Sequence, residues 1–266
     1  MAESQESVNH DEQAQKNQAI SILKSGFGHE ILHAAGHYVA PIFWTLPPPF
    51  DPVPQIGNGS IFFLECGGPP LAITAHHVYK EYLSRKERDP SLICQIGNLP
   101  LVPEERIIDG DEYLDVVTFR ITEEEVAHIG KWIYRHDQAK WPPQPPEVGK
   151  AVFFAGFPSI HRTLHQSERI DWDIYSAVLT ATVVNDREVI CQFEREEFID
   201  ILGLGLPPRH QWLGGLSGAP LWTLTQNSIF GWRLGGIIFQ YSKDYELLYA
   251  KHPVCIAPEG TLRRNH

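Results

Sequence analysis

The sequence lacks any uncharged apolar run long enough to cross a membrane. Such a span needs about 20 predominantly apolar residues, and every apolar run of this chain is shorter and interrupted by charge. The first residues, MAESQESVNHDEQAQKNQ, contain neither the cationic stretch nor the apolar core of a secretory signal. We therefore expect a protein that is neither exported nor inserted into a membrane.

Cysteine and positive charge are also scarce. The four cysteines lie far apart and form no CxxC pair, so their spacing favours neither a zinc knot nor a disulfide framework. A reducing cytoplasm is the compartment that this pattern favours. The 22 Lys and Arg residues are outnumbered by 33 Asp and Glu, which gives a formal net charge of -11. Because nucleic-acid-binding proteins usually present a basic surface, we expect no nucleic-acid partner.

Short strand-like runs dominate the chain from Tyr38 onward. They are rich in Val, Ile, Phe and Trp and are separated by Gly, Pro and Asp, a pattern typical of β-strands. The runs are YVAPIFWT, SIFFLEC, LAIT, SLICQIG and LDVVTFRI in the first half and AVFFAGF, YSAVLTATVV, EVICQF, APLWTL, WRLGGIIFQ and LLYA in the second. With 266 residues, 42% of them hydrophobic, the chain can bury one large core or two smaller ones. We predict a mostly β protein.

Changes in composition divide the sequence into five predicted segments. They are a polar and partly helical extension (1–37), a first β unit with a short helix near Glu123 to Tyr134 (38–140), a proline-rich linker (141–149), a second β unit (150–260) and a tail (261–266). The linker is predicted to be extended, because proline fixes its own backbone and removes a hydrogen-bond donor.

Three local patterns carry residues suited to acyl transfer. In LAITAHHV an apolar strand runs into a turn that bears His76 and His77. In LDVVTFRI, Asp115 lies among apolar residues, and a buried polar group without a partner costs roughly 2 to 7 kcal/mol, so an imidazole N–H would suit it. In GGLSGAPLW, glycines on both sides of Ser217 permit close approach of another chain, and the N–H groups of Gly215 and Ser217 could hold an oxyanion. Each pattern alone also has a structural explanation as a capping, turn or chance match.

Together these motifs resemble those of the trypsin-like (chymotrypsin-fold) serine peptidases. TAHH (Thr74 to His77), LDVV (Leu114 to Val117) and GLSGAP (Gly215 to Pro220) are similar to the TAxH, Asp-Val/Ile and GxSGxP motifs of that family, in the same chain order. GNGSIFF and VGKAVFFAGFPS resemble the strand before the catalytic histidine in bacterial members and the opening of the second barrel. The likeness extends from about Tyr38 to Gly260.

The resemblance implies a fold and a reaction. The fold would be two six-stranded β-barrels, the first with His77 and Asp115 and the second with Ser217. The reaction would be hydrolysis of peptide bonds: Ser217 attacks the carbonyl, His77 takes its proton, Asp115 fixes the imidazole, and an acyl-enzyme is then hydrolysed. The N–H groups of Gly215 and Ser217 would form the oxyanion hole. A protein or peptide would be the substrate, with no cofactor and no membrane.

Substrate-binding residues follow from the same resemblance. Gln211, six positions before Ser217, resembles the base of the primary specificity pocket, and because it is not an acid it does not support a preference for Lys or Arg. Gly235 and Gly236 could keep the pocket mouth open beside a strand edge that pairs with a peptide, although an ordinary core strand explains that run equally well. His76 precedes the histidine of the TAxH pattern and is predicted to be a neighbour of the base.

Two alternative functions remain open. The two-barrel fold could be a binding module with an assembled but unused or gated triad. In addition, HEILH matches the HExxH motif of zinc metallopeptidases, with His29 and His33 on one helix face and His37 extending it. Against zinc, the motif begins after only 28 residues and lacks the longer metzincin continuation. We therefore predict no metal site.

Overall fold

The structure, a computed structural model, describes residues 17–18, 20–48, 55–165, 169–193, 208, 211–226 and 230–264. Most of the polar part of the predicted extension 1–37 lies outside these residues. Sixteen strands are present in the described part of the chain. They are β1 (Val39–Thr45), β2 (Gly57–Glu65), β3 (Leu71–Thr74), β4 (Ile93–Ile96), β5 (Leu99–Leu101), β6 (Ile107–Asp111), β7 (Val116–Arg120), β8 (Tyr134–Arg135), β9 (Ala151–Gly156), β10 (Arg162–His165), β11 (Arg169–Trp172), β12 (Tyr175–Val184), β13 (Glu188–Gln192), β14 (Pro220–Gln226), β15 (Phe230–Ser242) and β16 (Leu247–Lys251).

The helices are few and short. They are α1 (Gly28–Gly36), α2 (His76–Arg88), α3 (Pro103–Arg106) and α4 (Glu123–Ile129), together with a π-helical turn (Leu23–Phe27) and 3₁₀ turns (Gln138–Lys140, Ser159–His161, Pro253–Cys255). Within the described residues, no helix is both long and apolar enough to cross a membrane.

The strands form two large sheets. In the first, β5-β4-β1-β2-β3-β7-β6 are neighbours in this order, and β8 pairs in parallel with β2. In the second, β12-β13-β16-β15-β14-β9 close into a six-stranded barrel. The fold class predicted from the sequence is confirmed: the protein is mostly β, with a closed barrel, a half-barrel sheet and a short N-terminal helix. The predicted linker 141–149 falls between β8 and β9, and the division into five segments stays a prediction.

Strand β2 lies between two apolar clusters, which explains why residues 61–64 (IFFL) are all apolar rather than alternating. Successive side chains of a strand point to opposite faces. Ile61 and Phe63 accordingly pack into the core of the first sheet. Phe62 and Leu64 pack into a second cluster. That cluster also contains residues of the closed barrel, such as Trp222, so β2 faces both halves of the protein.

Local sequence explains where the helices begin and end. Helix α4 has a capping box between Thr122 and Glu125, and it ends at Gly130 in the left-handed conformation that glycine favours. Helix α2 buries Val78 and Tyr82 against the first sheet. Its basic last turn suits the negative end of the helix dipole.

The four cysteines are buried and free. Burial raises the pKa of each thiol, to about 12 for Cys66, Cys191 and Cys255. The described thiols are therefore protonated and unreactive at neutral pH.

Candidate active site

His77 and Asp115 form a doubly hydrogen-bonded pair. The chain leaves β3 at Thr74 and enters α2 at His76, which places His77 in the first turn of the helix. Its backbone N–H donates a hydrogen bond of 2.8 Å to Asp115 Oδ1, and its ring Nδ1 lies 2.8 Å from Asp115 Oδ2. Because Nδ1–H donates to the carboxylate, the ring Nε2 keeps its lone pair and can act as a base.

The loop that carries Asp115 is a tight β-hairpin. Asp111 pairs with Val116 at the end of the β6–β7 ladder, so only four residues, 112–115, connect the strands. Asp115 has φ 52, in the left-handed region, which aspartate adopts more readily than most non-glycine residues do.

Ser217 lies against β2, close to the start of α2. Its carbonyl oxygen accepts a hydrogen bond of 2.8 Å from Ser60 N–H. A methyl group added to Gly59 would lie 2.6 Å from Val78 and 3.2 Å from that same oxygen, so the residue after His77 and the main chain of Ser217 meet at one point of β2. Ser217 thus lies close to the segment that carries His77, and His77 in turn is bonded to Asp115.

The space beside Gly218 is filled completely. A Cβ atom there would collide with the carbonyl oxygen of Ser60 and with the Thr74 side chain, and Gly218 also has φ 90. The second glycine of GLSGAP is therefore needed so that the serine motif can pack on the TAHH motif.

The hydroxyl of Ser217 donates to the carbonyl oxygen of Phe239, at 3.2 Å. Among the described residues, no hydrogen bond joins Ser217 Oγ to the His77 ring. Attack on a carbonyl would require the hydroxyl to turn from Phe239 toward Nε2 of His77.

The turn before Ser217 presents two free N–H groups. Leu216 N–H closes the turn on Leu213 O at 3.2 Å, and Gly215 in its third position has φ 105, as in a type II turn. The carbonyl of Gly214 accepts from Ser159 N–H at 2.7 Å. Since the C=O and N–H of a trans peptide point in opposite directions, this bond aims the N–H of Gly215 away from Ser159.

The N–H of Ser217 is oriented in the same way, by a hydrogen bond to the carbonyl of its own peptide group. Leu216 O accepts from Ala219 N–H at 2.9 Å, which fixes the peptide that carries Ser217 N–H. In the described part of the chain, the N–H groups of Gly215 and Ser217 donate to no other group. Two unpaired donors on one turn are what an oxyanion site requires.

Sequence reasoning missed the residues of β2 that support this turn. Ser60 Oγ donates to Gly215 O at 2.8 Å and accepts from Phe157 N–H at 3.0 Å. Asn58 Nδ2 donates to Phe157 O at 2.8 Å. The signal was two polar residues, Asn58 and Ser60, at alternate positions of an otherwise apolar strand.

The three predicted substrate-binding residues lie in two parts of the structure. Gln211 lies two residues before the turn 213–216, and its buried Oε1 has no hydrogen-bond partner among the described residues. Gly235 and Gly236 are buried in β15, where an added Cβ would lie 2.9 Å from Pro146 and from Ala250 respectively. The residues of β15 that contact the Ser217 segment are instead Ile238 and Phe239, so these contacts give the pocket-mouth prediction no support.

The two neighbouring histidines of the TAHH motif differ in surroundings. His76 Nδ1 is buried and has no hydrogen-bond partner in the part of the chain that the structure describes. Its ring lies beside Gly110, where an added Cβ would be 3.3 Å from His76 Cδ2. Only His77 contacts Asp115.

The two HEILH histidines lie along α1, with their rings stacked 6.2 Å apart. The His33 ring meets the ring of His37, just after the helix, edge to face at 4.8 Å, and His37 stacks on Trp132 at 4.1 Å. Burial, together with nearby His33 and Lys131, lowers the pKa of His37. No group of three or more His, Cys, Asp or Glu side chains in the described ranges could hold a metal ion, so the zinc alternative has no ligand set there.

Comparisons with known proteins give distant similarities only. No family model and no curated protein matches the chain. A solved structure concerned with coupled folding and binding of the Sesbania mosaic virus VPg protein aligns with a TM-score of 0.41 and 13% identity, covering 82% of this chain and 92% of that chain. The Rv3671c protease from M. tuberculosis, active form, aligns with a TM-score of 0.39 and 12% identity, covering 87% and 82%. At such low scores neither similarity carries an argument about function.

Proposed function

We propose that this chain is a serine endopeptidase with His77, Asp115 and Ser217 as its catalytic triad. The observation that carries the proposal is the contact of one carboxylate with both the N–H and the Nδ1 of His77, at 2.8 Å each. This arrangement fixes the ring in the tautomer that a general base needs.

In the proposed mechanism, Ser217 Oγ leaves the Phe239 carbonyl and donates its proton to Nε2 of His77 as it attacks the peptide carbonyl. The developing oxyanion accepts hydrogen bonds from the N–H groups of Gly215 and Ser217, a contribution of roughly 10² to 10³ in rate per donor. Protonated His77 then gives its proton to the leaving amine, and water hydrolyses the acyl-enzyme by the same steps.

Further parts of the proposal concern substrate and compartment. The substrate is a protein or peptide, and an uncharged Gln211 near the turn 213–216 gives no support to a preference for Lys or Arg next to the scissile bond. The four unpaired cysteines support a reducing compartment such as the cytoplasm.

Hydrolysis of an unfolded protein substrate tests the proposal. We expect cleavage by the wild type in the presence of a metal chelator, and a loss of about 10⁶ in kcat for Ser217→Ala. Ser91→Ala is the matched control, because Ser91 is an exposed serine whose hydroxyl bonds only Asp89. Equal cleavage by Ser217→Ala and wild type would contradict the proposal.

One observation favours a second candidate, a gated or unused triad in a binding module. The Ser217 hydroxyl donates a hydrogen bond to the Phe239 carbonyl, and among the described residues it makes no hydrogen bond to His77. A folded wild type that cleaves no peptide and reacts with no serine-directed reagent would favour this candidate.

A further inference from the structure

The C-terminal tail reaches the hairpin that carries Asp115. Arg264 Nη2 donates to Asp109 Oδ1 at 2.6 Å, and Arg264 Nε donates to Asp111 Oδ2 at 2.9 Å. Arg264 Nη1 also donates to Asp109 Oδ2 at 3.2 Å. Asp109 and Asp111 are two positions apart in β6 and therefore share a face of the strand. One planar guanidinium, with its fixed fork of donors, bridges both carboxylates.

The Asp111 carboxylate also bonds the hairpin loop 112–115. Its Oδ1 accepts a hydrogen bond of 2.8 Å from the backbone N–H of Leu114, while its Oδ2 accepts from Arg264. Leu114 is the residue before Asp115. A continuous series of hydrogen bonds therefore runs from the tail, through Asp111, to the peptide next to Asp115.

The tail is itself anchored, so Arg264 can act as a fixed support. Leu262 N–H donates to Asp109 Oδ2 at 2.8 Å, and Thr118 Oγ1 on β7 donates to the carbonyl oxygen of Gly260 at 2.6 Å. Burial alone would raise the pKa of Asp109. The hydrogen bonds from Arg264, Leu262 and Gly110 outweigh that effect, and the pKa is lowered.

A second cation near the loop, Lys80, is held more loosely. Lys80 pairs with Glu112, but these side chains are 59% and 71% exposed, and exposed pairs contribute little. Asp109 and Asp111 are only 20% and 17% exposed. Two largely buried carboxylates on one face need a counter-charge, and Arg264 supplies it.

We propose that Arg264 is a positioning residue for the Asp115–His77 pair, acting through Asp109 and Asp111 on the hairpin loop 112–115. The inference rests on the proposed function of that pair. It explains how Asp115 is kept at a positive φ with both carboxylate oxygens facing His77. Arg264 itself contacts neither His77 nor Ser217.

The test measures the rate constant for labelling of Ser217 by a fluorophosphonate, which requires no knowledge of the substrate. We expect Arg264→Gln to lower this rate constant about tenfold, because small displacements of a catalytic group are costly. Arg264→Lys should restore part of it, since lysine keeps the charge but lacks the fork. Arg263→Gln, a change at the exposed neighbour, should label at the wild-type rate.

A second readout separates positioning from general destabilisation. The hydrogen bond to Asp115 protects the His77 Nδ1 proton from exchange with solvent, so its NMR resonance should be visible in the wild type and in Arg263→Gln. It should weaken or disappear in a folded Arg264→Gln variant. Circular dichroism checks that the variants are folded.

Each outcome bears on one proposal. A wild-type labelling rate and an unchanged His77 resonance in folded Arg264→Gln would overturn the positioning role and leave the proposed function standing. A wild type that is never labelled would defeat the proposed function, and the His77 resonance alone would then decide the role of Arg264. If Arg264→Gln does not fold, Asp111→Asn replaces it, because asparagine keeps an oxygen for Leu114 N–H but loses the charge toward Arg264. Slower labelling of Asp111→Asn would support the positioning role, and labelling at the wild-type rate would overturn it.

Discussion

At the scale of single residues, His77 and His76 are neighbours with different chemistry. The His77 side chain is 47% exposed, and both its Nδ1 and its backbone N–H contact Asp115. Nε2 of the same ring makes no hydrogen bond to any of the described residues. His76 packs beside Gly110, and its buried Nδ1 bonds none of the described residues. Of the two adjacent histidines, the ring of His77 contacts the Asp115 carboxylate, and the ring of His76 packs beside Gly110.

This difference predicts unequal effects of the same substitution. His77→Gln should lower kcat by about 10⁶, because the base and its serine act as a unit. His76→Gln should change kcat by only a few-fold, because no proposed step uses that ring. Steady-state cleavage of one peptide by both variants measures the difference. A loss of similar size in His76→Gln would mean that the wrong histidine has been chosen as the base.

At the scale of elements, the sequence predicted most strands but not every local structure. The five runs from YVAPIFWT to LDVVTFRI correspond to β1–β4 and β7. These strands could be predicted because each run carries β-branched or aromatic residues. Helix α2 was missed because charged residues dominate His76–Arg88, although Val78, Tyr79 and Tyr82 mark one buried face. The β10–β11 hairpin was missed because each strand has only 4 residues, and RTLH contains a single apolar side chain.

The turn 213–216, which precedes Ser217, offers a prediction at this scale. Gly215→Ala should lower the labelling rate of Ser217 by roughly 10² to 10³, the effect of losing one oxyanion donor. The reason is that Gly215 has φ 105 and an added Cβ would collide with Asn58 and lie 2.6 Å from Phe157 O, so the turn must move.

Gly130→Ala is the matched control for that variant. Gly130 has φ 77 but nothing lies within 4 Å of its added Cβ. The control should lose about 1 to 2 kcal/mol of stability from backbone strain and keep the wild-type labelling rate. Equal labelling by Gly215→Ala and Gly130→Ala would argue against a role for this turn in catalysis.

At the scale of the whole molecule, the site depends on contacts between distant parts of the chain. Ser60 Oγ joins β2 to Gly215, 155 positions away, and Arg264 joins the tail to Asp109 across the same separation. The sequence motifs identified the triad candidates and the glycine-rich turn. They could not give the contact of Ser217 with Phe239, the support from Asn58, or the role of the tail, because these depend on how the two sheets pack.

Lys131 is another long-range contact and makes stability depend on pH. Its Nζ donates to the carbonyl oxygen of Gly36 at 2.8 Å, and burial lowers its pKa to about 8. The unfolded chain, with an ordinary lysine pKa of about 10.4, binds this proton more tightly than the folded protein does. Stability should therefore rise with pH between these two values.

Denaturant titrations of wild type and Lys131→Met test this dependence. We expect the free energy of unfolding of the wild type, relative to Lys131→Met, to increase by roughly 2 kcal/mol from pH 7.5 to pH 10. Lys24→Met, at an exposed lysine in the N-terminal turn, should follow the wild-type curve. Parallel curves for wild type and Lys131→Met would show that the lysine is not desolvated in solution.

The central claim is that Ser217 is an activated nucleophile. Its most direct test is to treat the folded protein with a fluorophosphonate and to locate the adduct by mass spectrometry of proteolytic fragments. The account predicts one adduct, on Ser217, formed equally well with a metal chelator present and absent in His77→Gln. A folded protein that forms no adduct, or forms one on a different serine, would contradict it.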